Sequence, residues 1–268
     1  MIIFRREWRR NFKSLLIWSI SISLMIFLIM SLYKSFSEGF SGQSIQDLLE
    51  AYPEGLKAAF GLNSLDMSNI LGYYGIESYL MVTLFGAIFA MLLSGSIISK
   101  EEHEKTIEFL LAKPVKRLEI LTSKIGLVIF NIFLFNLINS LVTFTAFEIY
   151  KTADYDQSIF FLLMLGPLLL HLTFASLGLL ISVFITKTKA IYSVSIGLVL
   201  VAYFFSIIAN ISDKLKFLKH FSPFSYIDAT DIILNGKLHL NYLLVMIFTI
   251  IIGIGLTFLF YNKKDITI

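Results

Sequence analysis

Six runs of apolar residues, each long enough to cross a bilayer, constrain this chain more than any other feature. They lie at about 15–33, 78–99, 125–149, 159–185, 190–211 and 242–261. A helix rises ~1.5 Å per residue, so a run of about 20 spans the ~30 Å hydrocarbon core. Lipid offers no partner to backbone N–H and C=O groups, so each run must satisfy them internally, as a helix. A β-barrel would instead alternate in polarity over segments of ~10 residues, and no such alternation is present. The chain is 57% hydrophobic and 15% charged, where a soluble domain carries about 25% charged residues. The expectation is an all-α membrane protein with residues 1–268 forming one transmembrane domain. The first run follows a basic segment, and Ser35-Phe36-Ser37 loosely resembles a cleavage site. It is longer than the ~7–15 residues of a signal core, so it is read as a retained span.

Lysine and arginine divide unevenly between the two sides. The N-terminal segment, the loop after the second run, residues 187–189 and the C-terminus hold fifteen of them. The opposite side holds seven, spread over longer loops. Short loops rich in these cations stay cytoplasmic. Both termini are therefore expected in the cytoplasm, as an even number of spans requires. The expected location is a cell (plasma) membrane. Richness in Ile, Lys and Asn with only four prolines points to a bacterial source.

The segments outside the runs are patterned too. Phe4, Trp8 and Phe12 recur every four residues and share one helical face, with Arg5, Arg6, Arg9, Arg10 and Lys13 around it. Such a basic amphipathic helix belongs in the headgroup plane, either as an anchor or as a docking element. The loop after the second run reads Lys100-Glu101-Glu102-His103-Glu104-Lys105-Thr106-Ile107-Glu108-Phe109-Leu110-Leu111. Glu101 and Lys105 stand four apart in the order that favours a helix, and Ile107, Leu110 and Leu111 form an apolar stripe. Pro114 should stop that helix near Lys113, and a second short helix should lead into the third span. A charged, striped helix held between two spans gives a soluble partner something to push on. The plainer alternative is a solvated linker. On the other side, residues 34–77 are acidic, and their apolar spacing predicts two short amphipathic helices about Pro53. Further short outer helices are expected after the fifth span, with Asn235-Gly236 as a stop.

Several chemistries are excluded. Gly236-Lys237 is followed by Leu238, so the phosphate cradle G-x-x-x-x-G-K-[ST] is absent. There is no cysteine, and the four histidines lack metal-ligand spacing. No G-x-S-x-G elbow occurs. A net charge of +3 gives no basis for a nucleic-acid partner. Inside the spans, Asn136, Asn139, Ser140 and Thr143 fall within an arc of about 100° on the third helix. That stripe either lines a translocation path or hydrogen-bonds across a helix interface. His171 in the fourth span either titrates against cargo or bonds neutrally to a neighbouring helix. Gly86, Ala90 and Ser94 repeat every four residues and permit close helix approach. Gly166-Pro167 should kink or interrupt the fourth span. No clear midplane carboxylate is present, which argues against proton-coupled transport.

Taken in order, these elements resemble the permease subunit of the type-2 ABC exporter family over nearly the whole chain. The strongest match is Lys100-Glu101-Glu102, Lys105-Thr106-Ile107-Glu108-Phe109-Leu110-Leu111, Pro114-Val115, Arg117 and Lys124. Lys105 stands where that family often has Gly. Weaker matches are Tyr52-Pro53 with Phe60-Gly61, Ser222-Pro223-Phe224, and Lys263-Lys264-Asp265-Ile266. The resemblance implies a permease with six transmembrane helices, an N-terminal interfacial helix, a cytoplasmic coupling helix between spans two and three, and outer helices between five and six. It implies ATP-driven export of a drug, peptide, lipid or ion. The implied partners are membrane lipid, a second permease chain, identical or related, and a separate ABC ATPase. ATP and Mg would be bound by that ATPase, leaving no cofactor and no catalysis in this chain. Contact with the ATPase is implied at Glu101, Glu102, Glu104, Thr106, Glu108 and Phe109, and at Arg5 and Arg9. The rival readings are a membrane sensor or immunity module on the same scaffold and, more weakly, an intramembrane enzyme using His171.

Overall fold

The computed structural model describes residues 2–39, 53, 55, 57, 65–103, 116–185 and 187–264. Helices dominate them, and no strand occurs among the described residues. In chain order they are α1 (Ile2–Gly39), α2 (Ile70–Glu77), α3 (Tyr79–His103), α4 (Arg117–Tyr150), α5 (Gln157–Phe184) and α6 (Thr188–Ile211). Two 3-10 helices follow, η1 (Asp213–Phe221) and η2 (Pro223–Ile227), then α7 (Ala229–Asn235) and α8 (Leu240–Lys263). Six helices, α1, α3, α4, α5, α6 and α8, are long and apolar enough to cross a membrane. These are the six runs read from the sequence. Ile17, Ile20 and Leu24 on α1 and Phe248 and Ile251 on α8 are all more than 60% exposed. Apolar surface on that scale calls for lipid as its solvent.

The bundle is organised about α3. Of its apolar window 67% is buried, against 17% for α8, so α3 is central and α8 peripheral. The most extensive packing joins α3 to α5, followed by α1 on α4, α8 on α5, and α6 on α3. The small residues expected to allow close approach do so. A Cβ on Gly86 would lie 2.3 Å from the His171 ring, and one on Gly178 only 2.1 Å from Ser94 Oγ. Ala90, between them on α3, is fully buried.

Three expectations are corrected. The N-terminal segment is not a separate interfacial helix, because α1 runs unbroken from Ile2 to Gly39. The first glycine in the chain is Gly39 and the first proline Pro53, so nothing earlier interrupts the hydrogen-bond ladder. Its aromatic face also meets protein: Phe4 and Trp8 pack edge-on against Phe130 of α4, with ring centroids 5.9 and 5.3 Å apart. Nor, among the described residues, does a separate short helix precede the third span. Residues from Arg117 onward form the first turns of α4 itself. Finally, of the kink or interruption expected at Gly166-Pro167, the interruption does not occur, because α5 continues through Pro167. Residues 104–113 of the predicted coupling helix, and most of the first outer loop, lie outside the described residues.

At the far end, Asp228 caps α7 by accepting from Asp231 N at 3.2 Å. Gly236 closes α7 in the left-handed region, φ 62°, as Asn235-Gly236 predicted. Tyr79 Oη donates to Ile227 O at 2.9 Å and so ties η2 to α3. A side chain at Gly166 would press on that hydroxyl, its Cβ only 2.7 Å away.

Candidate functional site

The end of the bundle bearing the N-terminal helix holds a buried ion cluster drawn from three elements. Lys124, in the second turn of α4, sends its Nζ to within 2.5 Å of Glu101 Oε2. The same Nζ donates to Ile97 O at 2.5 Å. The Oε2 contact is an ion pair without hydrogen-bond geometry. Arg6 of α1 reaches Glu101 Oε1 and lies 2.8 Å from Glu7 Oε1. Glu7, Glu101 and Lys124 are 3%, 2% and 1% exposed. Two cations and two carboxylates thus balance, three of them buried and Arg6 reaching in from a partly exposed position. A buried charge is tolerated only when paired this way. The cluster fixes α1 against the last turns of α3, immediately before residues 104–115.

The residues expected to meet an ATPase therefore separate. Arg5 and Arg9 are exposed one helical turn apart on α1. Glu101 is turned inward and engaged with Arg6 and Lys124. Glu102 lies in the last turn of α3, and Glu104, Thr106, Glu108 and Phe109 lie outside the described residues. Sequence reasoning missed Glu7 and Lys124. Both left a trace: Glu7 is the only acid among the first thirteen residues, and Lys124 stands at helical spacing from buried Ile120, Leu121, Val128 and Asn131.

A second polar group sits within the spans. Asn131, Asn136 and Asn139 each donate a side-chain N–H to the carbonyl four residues back, at 2.8–2.9 Å. Thr143 does the same with its hydroxyl, at 2.8 Å. Asn136, Asn139 and Thr143 are buried, and Ser140 is half-buried. Asn139 Oδ1 accepts from Ser23 of α1 at 3.3 Å. Asn136 Oδ1 lies 3.0 Å from His171 Nδ1, and His171 Nε2 lies 3.3 Å from Thr83 O. Both partners are oxygen acceptors, and a neutral imidazole donates through one nitrogen, so His171 donates to one of them, as its tautomer sets. The stripe thus joins α4 to α1 and, through His171, to α5 and α3. His171 fits only because residue 86 has no side chain.

Residues 1–266 match the family model described as ABC-2 family transporter protein. The chain belongs to the ABC-2 transporter family. No curated protein matches it. As an ABC-2 permease it is a multi-pass transport component rather than an enzyme, in a family that associates with ABC ATPase subunits. Among the described residues of the permease, no group of acids and histidines could hold a metal ion.

Proposed function

We propose that this permease exports its cargo on energy from a separate ABC ATPase, which holds ATP and Mg, and that two permease chains form the transport unit. The carrying observation is the Arg6–Glu101–Lys124 cluster, which locks the exposed basic face of α1 to the ends of α3 and α4. In this reading Arg5, Arg9, Glu102, Glu104, Thr106, Glu108 and Phe109 meet the ATPase. Glu101 is a positioning residue. It passes a push on α1 or on the following loop into the bundle, where α3 packs on α5. The termini face the cytoplasm of a bacterial cell, and drug, peptide, lipid and ion remain the candidate cargoes. Within the stripe of Asn136, Asn139, Ser140 and Thr143, Asn136 and Asn139 hold the helices together, as their interhelical bonds support.

The test is co-purification of the permease with an ABC ATPase in detergent. The native chain retains the ATPase, whereas charge reversal at Arg5 and Arg9, or at Glu104 and Glu108, releases it. If a correctly folded native chain binds no ATPase, the proposal loses its energy source and a stand-alone membrane module replaces it. Cargo-dependent ATP hydrolysis by the assembled complex separates transport from sensing.

A further inference from the structure

Beneath the corner where η1 meets η2, a cavity of about 280 Å³ opens between α5, α6 and α8. Phe174 and Leu177 of α5, Leu198 and Ala202 of α6 and Val245 of α8 give it apolar walls. Helix α8 packs on α5 and α6 packs on α3, but α6 and α8 share no extensive contact, so the gap between them faces sideways. Phe174 and Ala202 at its back are buried, whereas Val245 and Phe221 at its rim are 45% and 67% exposed. Leu244 and Phe248, beside Val245 and Thr249 on α8, are exposed as well. The cavity is thus open to the same apolar surroundings that bathe the outside of the bundle.

Its polar groups are already engaged within the protein. Thr173 Oγ1 donates to Leu169 O and Thr249 Oγ1 to Val245 O, both at 2.8 Å. Tyr226 Oη donates to His220 O, and His220 Nδ1 lies 3.3 Å from Phe217 O. No acid, lysine or arginine stands among the described residues of the lining. A ligand here therefore meets apolar burial and dispersion contacts, and no fixed charge. Depth follows from the aromatic rings. Tyr226 stacks on Tyr242 at 4.8 Å, and tyrosine gathers at the membrane–water boundary. Thr249 stands seven residues beyond Tyr242 on α8, ~10 Å along the helix axis. The cavity thus runs through about two-thirds of the ~15 Å that one leaflet contributes to the ~30 Å hydrocarbon core.

We propose that this cavity holds one acyl chain of a bilayer lipid, which enters between α6 and α8 and leaves its headgroup outside, level with Tyr226 and Tyr242. Lipid chains are the apolar molecules that stand at the rim, and the volume is close to the ~300 Å³ of the smallest ligand pockets. The roof is fastened from two sides. Ser222 Oγ donates to Ala202 O at 2.6 Å, tying the η1–η2 corner to α6, and Phe224 of η2 meets Phe174 of α5 with ring centroids 5.4 Å apart. The chain fills the space left below that roof, where the walls would otherwise lose their dispersion contacts. The site is independent of ATPase docking, so either proposal can fail alone.

Native mass spectrometry of the full chain in micelles tests it, with dioleoyl phosphatidylcholine, dioleoyl phosphatidylglycerol and glycerophosphocholine as probes. The two lipids should be retained with affinities within about threefold of each other, because chain burial is blind to the head. Glycerophosphocholine, a head without chains, should not bind. The pair Val245→Trp with Thr249→Phe fills the mouth and should weaken both lipids about tenfold or more, the worth of roughly two buried methylenes. Ala202→Leu fills the cavity from the opposite wall and should do the same, so that one misfolded variant does not decide the outcome. Thr249→Val keeps the shape of the wall and should retain binding. Leu244→Trp with Phe248→Trp enlarges the same stretch of α8 outside the cavity and should leave binding unchanged. Equal loss in the two α8 pairs overturns the site and leaves only the lipid that coats the whole bundle. A tenfold preference for either lipid, or glycerophosphocholine binding as tightly as the lipids, overturns recognition of the chain. Retention of a second permease copy in place of lipid, lost in the filled pair, overturns the lipid and makes a second copy the occupant.

Discussion

Lys124→Met is the sharpest probe of the ion cluster. It removes a cation that is 1% exposed and faces a carboxylate that is 2% exposed. Taking one partner from a buried pair costs about 3–5 kcal/mol, because the other charge is left uncompensated. Here Glu101 keeps Arg6, whose side chain is 38% exposed and screened accordingly. The lower end, about 3 kcal/mol, is therefore expected, or roughly a hundredfold in the folded-to-unfolded ratio. Glu101→Gln alone should cost a similar amount. The double variant should cost well below the sum, with a coupling of about 2 kcal/mol. Unfolding by SDS titration in mixed micelles, followed by far-UV circular dichroism, gives these values. A loss below about 0.5 kcal/mol for Lys124→Met, or additivity within about 0.5 kcal/mol, would show that the pair does not hold α3 to α4.

Three other perturbations are expected to be as readable. Gly178→Ala puts a methyl 2.1 Å from Ser94 Oγ and 3.1 Å from Met91 O, so the same titration should show a loss of about 1–3 kcal/mol from overpacking; Ser94→Ala should recover part of it. His171→Ala removes the imidazole from Asn136 Oδ1 and Thr83 O and should cost about 1–3 kcal/mol, while ATPase co-purification stays intact; release of the ATPase would give His171 a role in assembly. Gly236→Ala forces a side chain into φ 62° and should cost about 1 kcal/mol, measured as a shift in the unfolding midpoint.

Hydropathy located every span but not the helices that contain them. Apolar runs report where lipid is, whereas helices end where the hydrogen-bond ladder is broken. Thus α1 is helical from Ile2, well before Leu15, and through Gly39, beyond the run's end at Tyr33. The Gly86–Ala90–Ser94 spacing was legible as a close-packing face, but its partner was not. The fit of Gly178 against Ser94 is a relation between two helices far apart in sequence. The same gap explains the ion cluster. In the sequence Lys124 reads as a cytoplasmic cation closing the family-like motif, and Glu101 as an ATPase contact. Their burial depends on α4 starting at Arg117 and bringing Lys124 beside Ile97, a tertiary fact that no local pattern carries.

The unbroken run of α1 has a mechanical consequence. At ~1.5 Å per residue its 38 residues form a rod about 57 Å long, nearly twice the ~30 Å of the hydrocarbon core. Arg6 is pinned near one end to Glu101. Near the other end, Tyr33 Oη donates to Ser68 O at 2.6 Å, in the segment leading into α2. About 40 Å of stiff helix separates those two fastenings. A tilt of about 5° at the Glu101 pivot would sweep Tyr33 through roughly 3–4 Å, enough to part the Tyr33–Ser68 contact. The helix is thus a lever whose short arm carries Arg5 and whose long arm starts beside Arg9 and reaches the far face of the membrane.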